Sequence, residues 1–422
     1  MTYQKKTLKN GLRIIVVPIK GAPSVTVMSI IETGSEYETK EKNGVSHFLE
    51  HMFFKGTKNR PTAMDIAKEF DGMGAENNAF TSNEITSYYA KASNNNFEKI
   101  LDIISDMYLN PTFPKAEMEK EKGVITEEIN MYEDLPQVIS HEVFQELMYG
   151  DTPYGWTVLG PKENIKSMKQ EDFFQYRKKH YVASKTTIVA SGDLKIDEAF
   201  KKIEKAFKNI STGKTVRKSK FSEKQEKPEI RIKHKNTDQL HLIIGFRAFD
   251  LHDKRARVLS LLSTILGVGM SSRLWQKMRE ELGICYYIGS SYSGLTDHGN
   301  FRIPAGVDKN RLGMAIEGIL GEIRKIKEIK ITEEELKKAK DYKIGRMYLG
   351  LESSDSLADF YGFQEVMGEK IKTPEEKEKE IRKITAKDIQ KLAKQIFVNK
   401  NMNMAIVGNV ENEEEIKKLF KL

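Results

Sequence analysis

A chain of 422 residues, 39% hydrophobic and 31% charged, has the length for two or three domains and the composition of a folded globular protein. Its formal charge of +8 is not a nucleic-acid footprint, because lysines alternate with acids, as in KENIKSMKQED and EEELKKAKD, the pattern of solvated helix faces. No apolar run approaches the ~20 residues that span a bilayer; the single Cys285 excludes an intramolecular disulfide and points to a reducing cytoplasm, and abundant Lys and Glu point towards a thermophilic prokaryote.

The chain opens on MTYQKKTLKNGLRIIVVPI, a short apolar run after basic residues, with no small-residue cleavage site; it predicts a first β-strand rather than a signal peptide. VTVMSII predicts the next strand. Residues 44–57, GVSHFLEHMFFKGT, then set His47, Glu50 and His51 among Val45, Phe48, Leu49, Met52 and Phe53. At roughly 100° per residue the three polar groups share an arc of about 100°, and the apolar side chains centre near the opposite side. The predicted helix is anchored by one face and presents two imidazoles and a carboxylate on the other. Two imidazoles one turn apart chelate a single cation, for which Zn2+ is the usual occupant. The glutamate between them stands where it can take a proton from water.

A cation needs a ligand from elsewhere. EKEKGVITEEINMYEDLP predicts a helix whose apolar Val124, Ile125, Ile129, Met131 and Tyr132 form a stripe centred on the direction of Glu121. Glu128 falls about 20° from that centre, inside the stripe, and Glu127 lies on its margin. A carboxylate on a buried stripe is destabilising unless paired or metal-bound, so Glu128 is the expected third ligand and Glu127 the alternative. Glu121, two turns before Glu128, reads either as a group orienting a histidine or as a salt-bridged residue.

Residues 167–193, SMKQEDFFQYRKKHYVASKTTIVASGD, align without a gap on 383–409, KITAKDIQKLAKQIFVNKNMNMAIVGN, at a constant offset of 216. Each copy predicts a capped amphipathic helix, a short connection, an apolar strand and another helix. One repeat of this length denotes a duplicated domain, since solenoid periods are ~20–50 residues. The polar, basic stretch 209–229 is the expected linker between a first domain, 1–208, and a second, 230–422, where IRIKHK and LHLIIGF restart the strand pattern. The expected fold class is α+β: two duplicated α/β sandwich domains, each a mostly antiparallel sheet covered by helices. Where the first copy has SHFLEH the second has SSRLWQKMREELG, so the scaffold is repeated without the histidine pair. ILGVGMSSR lacks the Gly-Lys-Ser/Thr of a phosphate loop, and Cys285 has no cue for a nucleophile.

HFLEH, KGT, NNAFTS, VITEEINMYED, PYGWTVLGP and SSRLWQKMREELGICY together resemble the pitrilysin/insulinase-type zinc metallopeptidases, or inverzincins, most closely their processing-peptidase branch; the likeness covers nearly the whole chain. The resemblance implies a zinc endopeptidase acting on peptides or unfolded segments. In it one Zn2+ per chain is held by His47, His51 and the glutamate directly before the Ile of EEI, Glu128, with Glu50 as general base. It also implies that Arg279 and Tyr286, an ordinary surface cation and a strand aromatic when read alone, match a catalytic Arg/Tyr pair on the facing half of a clamshell built from four such domains. A two-domain chain is then expected to form a homodimer in which each partner supplies the pair to the other's zinc site. Asn77, Asn78 and Ala79 match the segment whose edge strand accepts substrate by backbone pairing, although Asn78 alone reads equally as a turn asparagine. The rival of a different class is a non-catalytic scaffold or assembly subunit of the same family; a second is a metal-dependent hydrolase of a non-peptide substrate. Retention of Glu50 favours the peptidase. Neither nucleic acid nor a membrane is an expected partner.

Overall fold

A computed structural model describes residues 2–422. The first sheet comprises β1 (Gln4–Thr7), β2 (Arg13–Pro18), β3 (Ser24–Ile31), β4 (Glu76–Thr81), β5 (Thr86–Ser93) and β6 (Thr186–Gly192), in the order β1-β2-β6-β3-β5-β4. The second comprises β7 (Glu229–Lys233), β8 (Leu240–Ala248), β9 (Cys285–Ile288), β10 (Ser291–Gly294), β11 (Gly299–Val307) and β12 (Met402–Val407), in the order β10-β11-β8-β12-β7, with β9 also pairing β11. Within each sheet one pair is parallel, β2 with β6 and β7 with β12, and the rest are antiparallel. The paths β2-β6-β3-β5-β4 and β7-β12-β8-β11-β10 repeat the same succession of pairings. The repeat holds residue by residue: helices Gln170–His180 and Ala386–Ile396, the single turns Ala183–Lys185 and Asn399–Asn401, and the first residues of β6 and β12 are all 216 positions apart. This is the duplicated, mostly antiparallel α/β architecture that the alternation of strand and helix patterns predicts.

The packing divides the described chain into two units. One holds the residues up to Asn130 with Trp156–Ser219 and Tyr348–Glu375; the other holds Met131–Gly155, Lys220–Met347 and Glu376–Leu422. The packing therefore departs from contiguous halves at two helices. Ser354–Val366 lies on β3 and β6, and Pro136–Tyr149 lies on β8 and β12. The reason is that central strands such as RIIVVP and TTIVASG are buried on both faces and need a second cover. On that face of β3, Thr26 Oγ1 meets Ser354 Oγ at 2.8 Å, and Ile30 comes so near Gly362 that a Cβ there would stand 2.4 Å from its Cδ1. Phe144 fills the equivalent place against Gly245, where an added Cβ would meet its ring at 2.2 Å. The stretch 209–229 is irregular up to β7, but it is not a free tether. Lys218 Nζ bonds Glu36 at 2.7 Å and Glu84 at 2.5 Å in the first unit, while Phe221 packs on the rings of Tyr149 and Tyr154 in the second. Among the described residues no helix is long and apolar enough to cross a membrane.

Candidate metal centre

The motif helix, Val45–Met52, is set by its apolar face. Val45, Phe48, Leu49 and Met52 are buried in the first core with Phe53 at the helix end. Phe48 packs edge-on to Phe173 at 4.8 Å, and Phe53 lies 4.6 Å from Tyr88 and 5.2 Å from Tyr181. The helix begins at Gly44, whose φ of 99° and close approach to Leu159 O, 2.5 Å from where a Cβ would sit, leave no place for a side chain. Gly44 has no side chain to cap the first amides, so a distant carboxylate does it. Buried Glu38 accepts from Gly44 N at 2.8 Å, Ser46 N at 2.7 Å and Asn43 Nδ2 at 2.8 Å. Burial pushes Glu38 up to about 7, against the pull of these donors. Glu38→Ala would strand the buried amides. It is expected to destabilise the helix by about 2 kcal/mol, read as roughly 30-fold faster hydrogen exchange at residues 44–48.

The histidines face a glutamate of a later helix, Lys115–Glu133. His47 Nε2 lies 3.7 Å and His51 Nε2 3.6 Å from Glu128 Oε2, and one ligand atom from each of the three falls within 4.8 Å of the others. Donors about 2.0–2.2 Å from a tetrahedral Zn2+ stand roughly 3.3–3.5 Å apart, so the cluster is close to the spacing such an ion imposes. Protonation fits as well. Burial, with His51 alongside, lowers His47 to about 3, which leaves a neutral imidazole at neutral pH, the form that binds metal. Nδ1 of His47 is buried without a hydrogen-bond partner, and Nε2 is the ring nitrogen that faces Glu128. His51 Nδ1 bonds Glu121 Oε1 at 2.8 Å; a carboxylate there accepts, so Nδ1 carries the proton and Nε2 keeps its lone pair for the cluster. Lys55 Nζ holds the other oxygen of Glu121 at 2.6 Å. Burial works to raise Glu121, but the bonds from His51 and Lys55 prevail and hold it below the usual carboxylate range. Glu121 is thus placed to orient His51.

Glu127 is exposed and bonded to Asn130 Nδ2 at 3.2 Å; the structure brings Glu128, not Glu127, to the histidines. The apolar stripe expected on this helix differs from the one observed. The buried face is Met118, Glu121, Ile125 and Ile129, whereas Val124 and Met131 are each 52% exposed. With Val124 and Met131 facing out, the buried face centres about 45° from Glu121, near Ile125, so Glu128 sits at the margin of the face. There it is half-buried, and burial raises its pKa, with His51 opposing and Glu121 adding to the rise.

Glu50 accepts a 2.6 Å hydrogen bond at Oε2 from Thr81 Oγ1, at the end of β4. Burial raises its pKa, while Thr81 and His51 oppose the rise and Glu128 adds to it. β4 is an edge strand with one unpaired side, on which Asn77 and Asn78 are exposed and Ala79 is half-buried. Ala79 N donates to Asn78 Oδ1 at 2.8 Å. The opposite edge, β1, is guarded by Lys5 and Lys6. In the second unit, Arg279 lies on a single turn of π-helix, Gln276–Glu281, and donates to Cys285 O at 2.7 Å. That bond sets its guanidinium next to the strand position of Tyr286, which is 62% exposed; Cys285 itself is buried, and burial raises its thiol pKa. Glu38, Lys55 and Thr81 carry no signal of a role in the sequence. Lys55 and Thr81 lie within the KGT and NNAFTS stretches, but nothing in their spacing marks them.

Fold and site define a class: a duplicated α/β chain in which one repeat carries an inverted His-x-x-Glu-His helix facing a glutamate of a second helix further along the same repeat. The model of the insulinase family, peptidase family M16, matches residues 13–162, and that of the peptidase M16 inactive domain matches 167–342. The chain is 36% identical over 398 residues to the uncharacterized zinc protease YmxG of Bacillus subtilis, covering 93% of this chain and 95% of that protein. An uncharacterized zinc protease of Rickettsia felis is 35% identical over 402 residues, covering 95% and 96%. A crystal structure of a protease from Helicobacter pylori superposes with a TM-score of 0.91 over 97% of this chain and 100% of that one, and at 24% identity shows the same fold. The chain belongs to peptidase family M16, the insulinase family.

Proposed function

We propose that the protein is a zinc-dependent endopeptidase that hydrolyses peptides or unfolded segments, with one Zn2+ per chain held by His47, His51 and Glu128. The observation that carries this reading is the convergence of those three side chains beside Glu50, a carboxylate on the same helix close enough to feel the charges of His51 and Glu128. The cation, when bound, supplies Lewis-acid polarisation of the scissile carbonyl and acidifies water. Glu50 takes the proton of the attacking water and delivers it to the leaving amine. The free side of β4 at Asn77, Asn78 and Ala79 receives the substrate backbone as an added strand, which gives affinity with little sequence preference. Tyr286, with Arg279 held beside it, stabilises the developing oxyanion, supplied by the second chain of a homodimer. A scaffold subunit has no use for a half-buried base next to a complete ligand set, which favours the enzyme over its non-catalytic rival.

The test is incubation of the intact protein with an unstructured peptide of about 30 residues, read by mass spectrometry. Internal cleavage that stops on chelation and returns with added zinc is expected. Cleavage indifferent to the chelator, or none with the zinc-loaded protein, would overturn the proposal.

A further inference from the structure

We propose that Thr81 is a positioning residue for Glu50, and that through it the edge strand that docks the peptide also holds the general base. The inference rests on the endopeptidase reading. Thr81 Oγ1 donates to Glu50 Oε2 at 2.6 Å, and this is the one hydrogen bond from the protein to that carboxylate among the described residues. Oε1 is left to accept a proton. The donor is well placed to fix its partner. Thr81 is β-branched, which restricts its side-chain rotamers, and it pairs with Thr86 in the β4–β5 ladder. Along β4, Asn77, Ala79 and Thr81 share one face of the pleat, the face on which Thr81 reaches the motif helix. On the other face, the Phe80 ring packs tilted against Phe363 of the covering helix Ser354–Val366, 5.7 Å between centroids. The strand is thus held from both sides while its outer edge is unpaired. A peptide added along that edge would order the backbone that carries Oγ1, two residues after Ala79. Docking and base alignment share one element.

The hydrogen bond is charge-assisted when Glu50 is ionised, and small misplacements of a reacting group lower rates steeply. Thr81→Val keeps the shape and strand preference and removes the hydroxyl. It is expected to lower kcat on an unstructured peptide by about 10- to 100-fold, with KM within about 3-fold and zinc content unchanged. Thr81→Ser, which restores the donor, should recover most of kcat. A Thr81→Val enzyme with wild-type kcat would overturn the inference. So would a rise in KM at constant kcat, which would make Thr81 a docking residue only, or a fall in activity matched by loss of zinc, which would make it structural. If Thr81→Val does not fold, Thr81→Ala is judged by the same readouts. Absence of cleavage by the wild-type protein would instead sink the endopeptidase reading, so the two failures are distinguishable.

Discussion

Replacing Glu50 with glutamine is expected to lower kcat by roughly 10²–10⁴-fold while the protein keeps its zinc and its fold. Glutamine has the size of glutamate, and its carbonyl oxygen can still accept from Thr81 Oγ1, so the local geometry survives. What disappears is the ability to take a proton. The surroundings of Glu50 suit proton transfer, because burial draws its pKa upward, towards the range in which a carboxylate both accepts and releases a proton. Zinc should be retained because the coordinating atoms belong to His47, His51 and Glu128. Peptide turnover and metal content measured on the same sample check both halves of the expectation. The variant also tests the proposed dimer. Mixed with equally inactive Tyr286→Phe chains, Glu50→Gln chains should regain part of the activity if each site draws Tyr286 from its partner, and none if each chain acts alone.

Glu128→Ala is the second large effect. It removes the one carboxylate among the described residues that lies within 4 Å of both imidazoles. Zinc affinity should fall by more than the roughly 10–100-fold that outer partners of metal ligands are worth, and activity with it. Glu127→Ala is the control. That side chain is exposed and accepts from its helix neighbour Asn130, so zinc affinity and stability should stay near wild type, within about 0.5 kcal/mol. Zinc titration against a competing chelator separates the two adjacent glutamates.

The parts of this structure governed by local periodicity were legible in the sequence. The 3.6-residue phase that puts His47, Glu50 and His51 on one arc is a property of one helix. The 216-residue offset survives as the same helix, turn and strand starting at matched positions. What escaped depends on contacts between distant segments. No pattern in residues 136–149 or 354–366 says which sheet each will cover; that follows from two-sided burial of strands far away in the chain. Glu38 looks like one more surface acid in a stretch of mixed charge, and its role as a cap appears only once the chain folds it over Gly44 and Ser46. The stripe on the glutamate helix is misleading for a related reason. Val124 and Met131 are apolar but face outward, which leaves Met118, Ile125 and Ile129 to set the buried direction. Glu128 is still preferred, because its angular distance from either centre is smaller than that of Glu127.

Zinc K-edge X-ray absorption on the purified protein shows directly whether His47, His51 and Glu128 jointly grip one divalent ion. One zinc per chain is expected, bound by two imidazole nitrogens and oxygen donors at about 2.0–2.2 Å, with loss of the signal in the His47→Ala, His51→Ala double variant. A zinc shell without imidazole, or full zinc occupancy in that double variant, would contradict it.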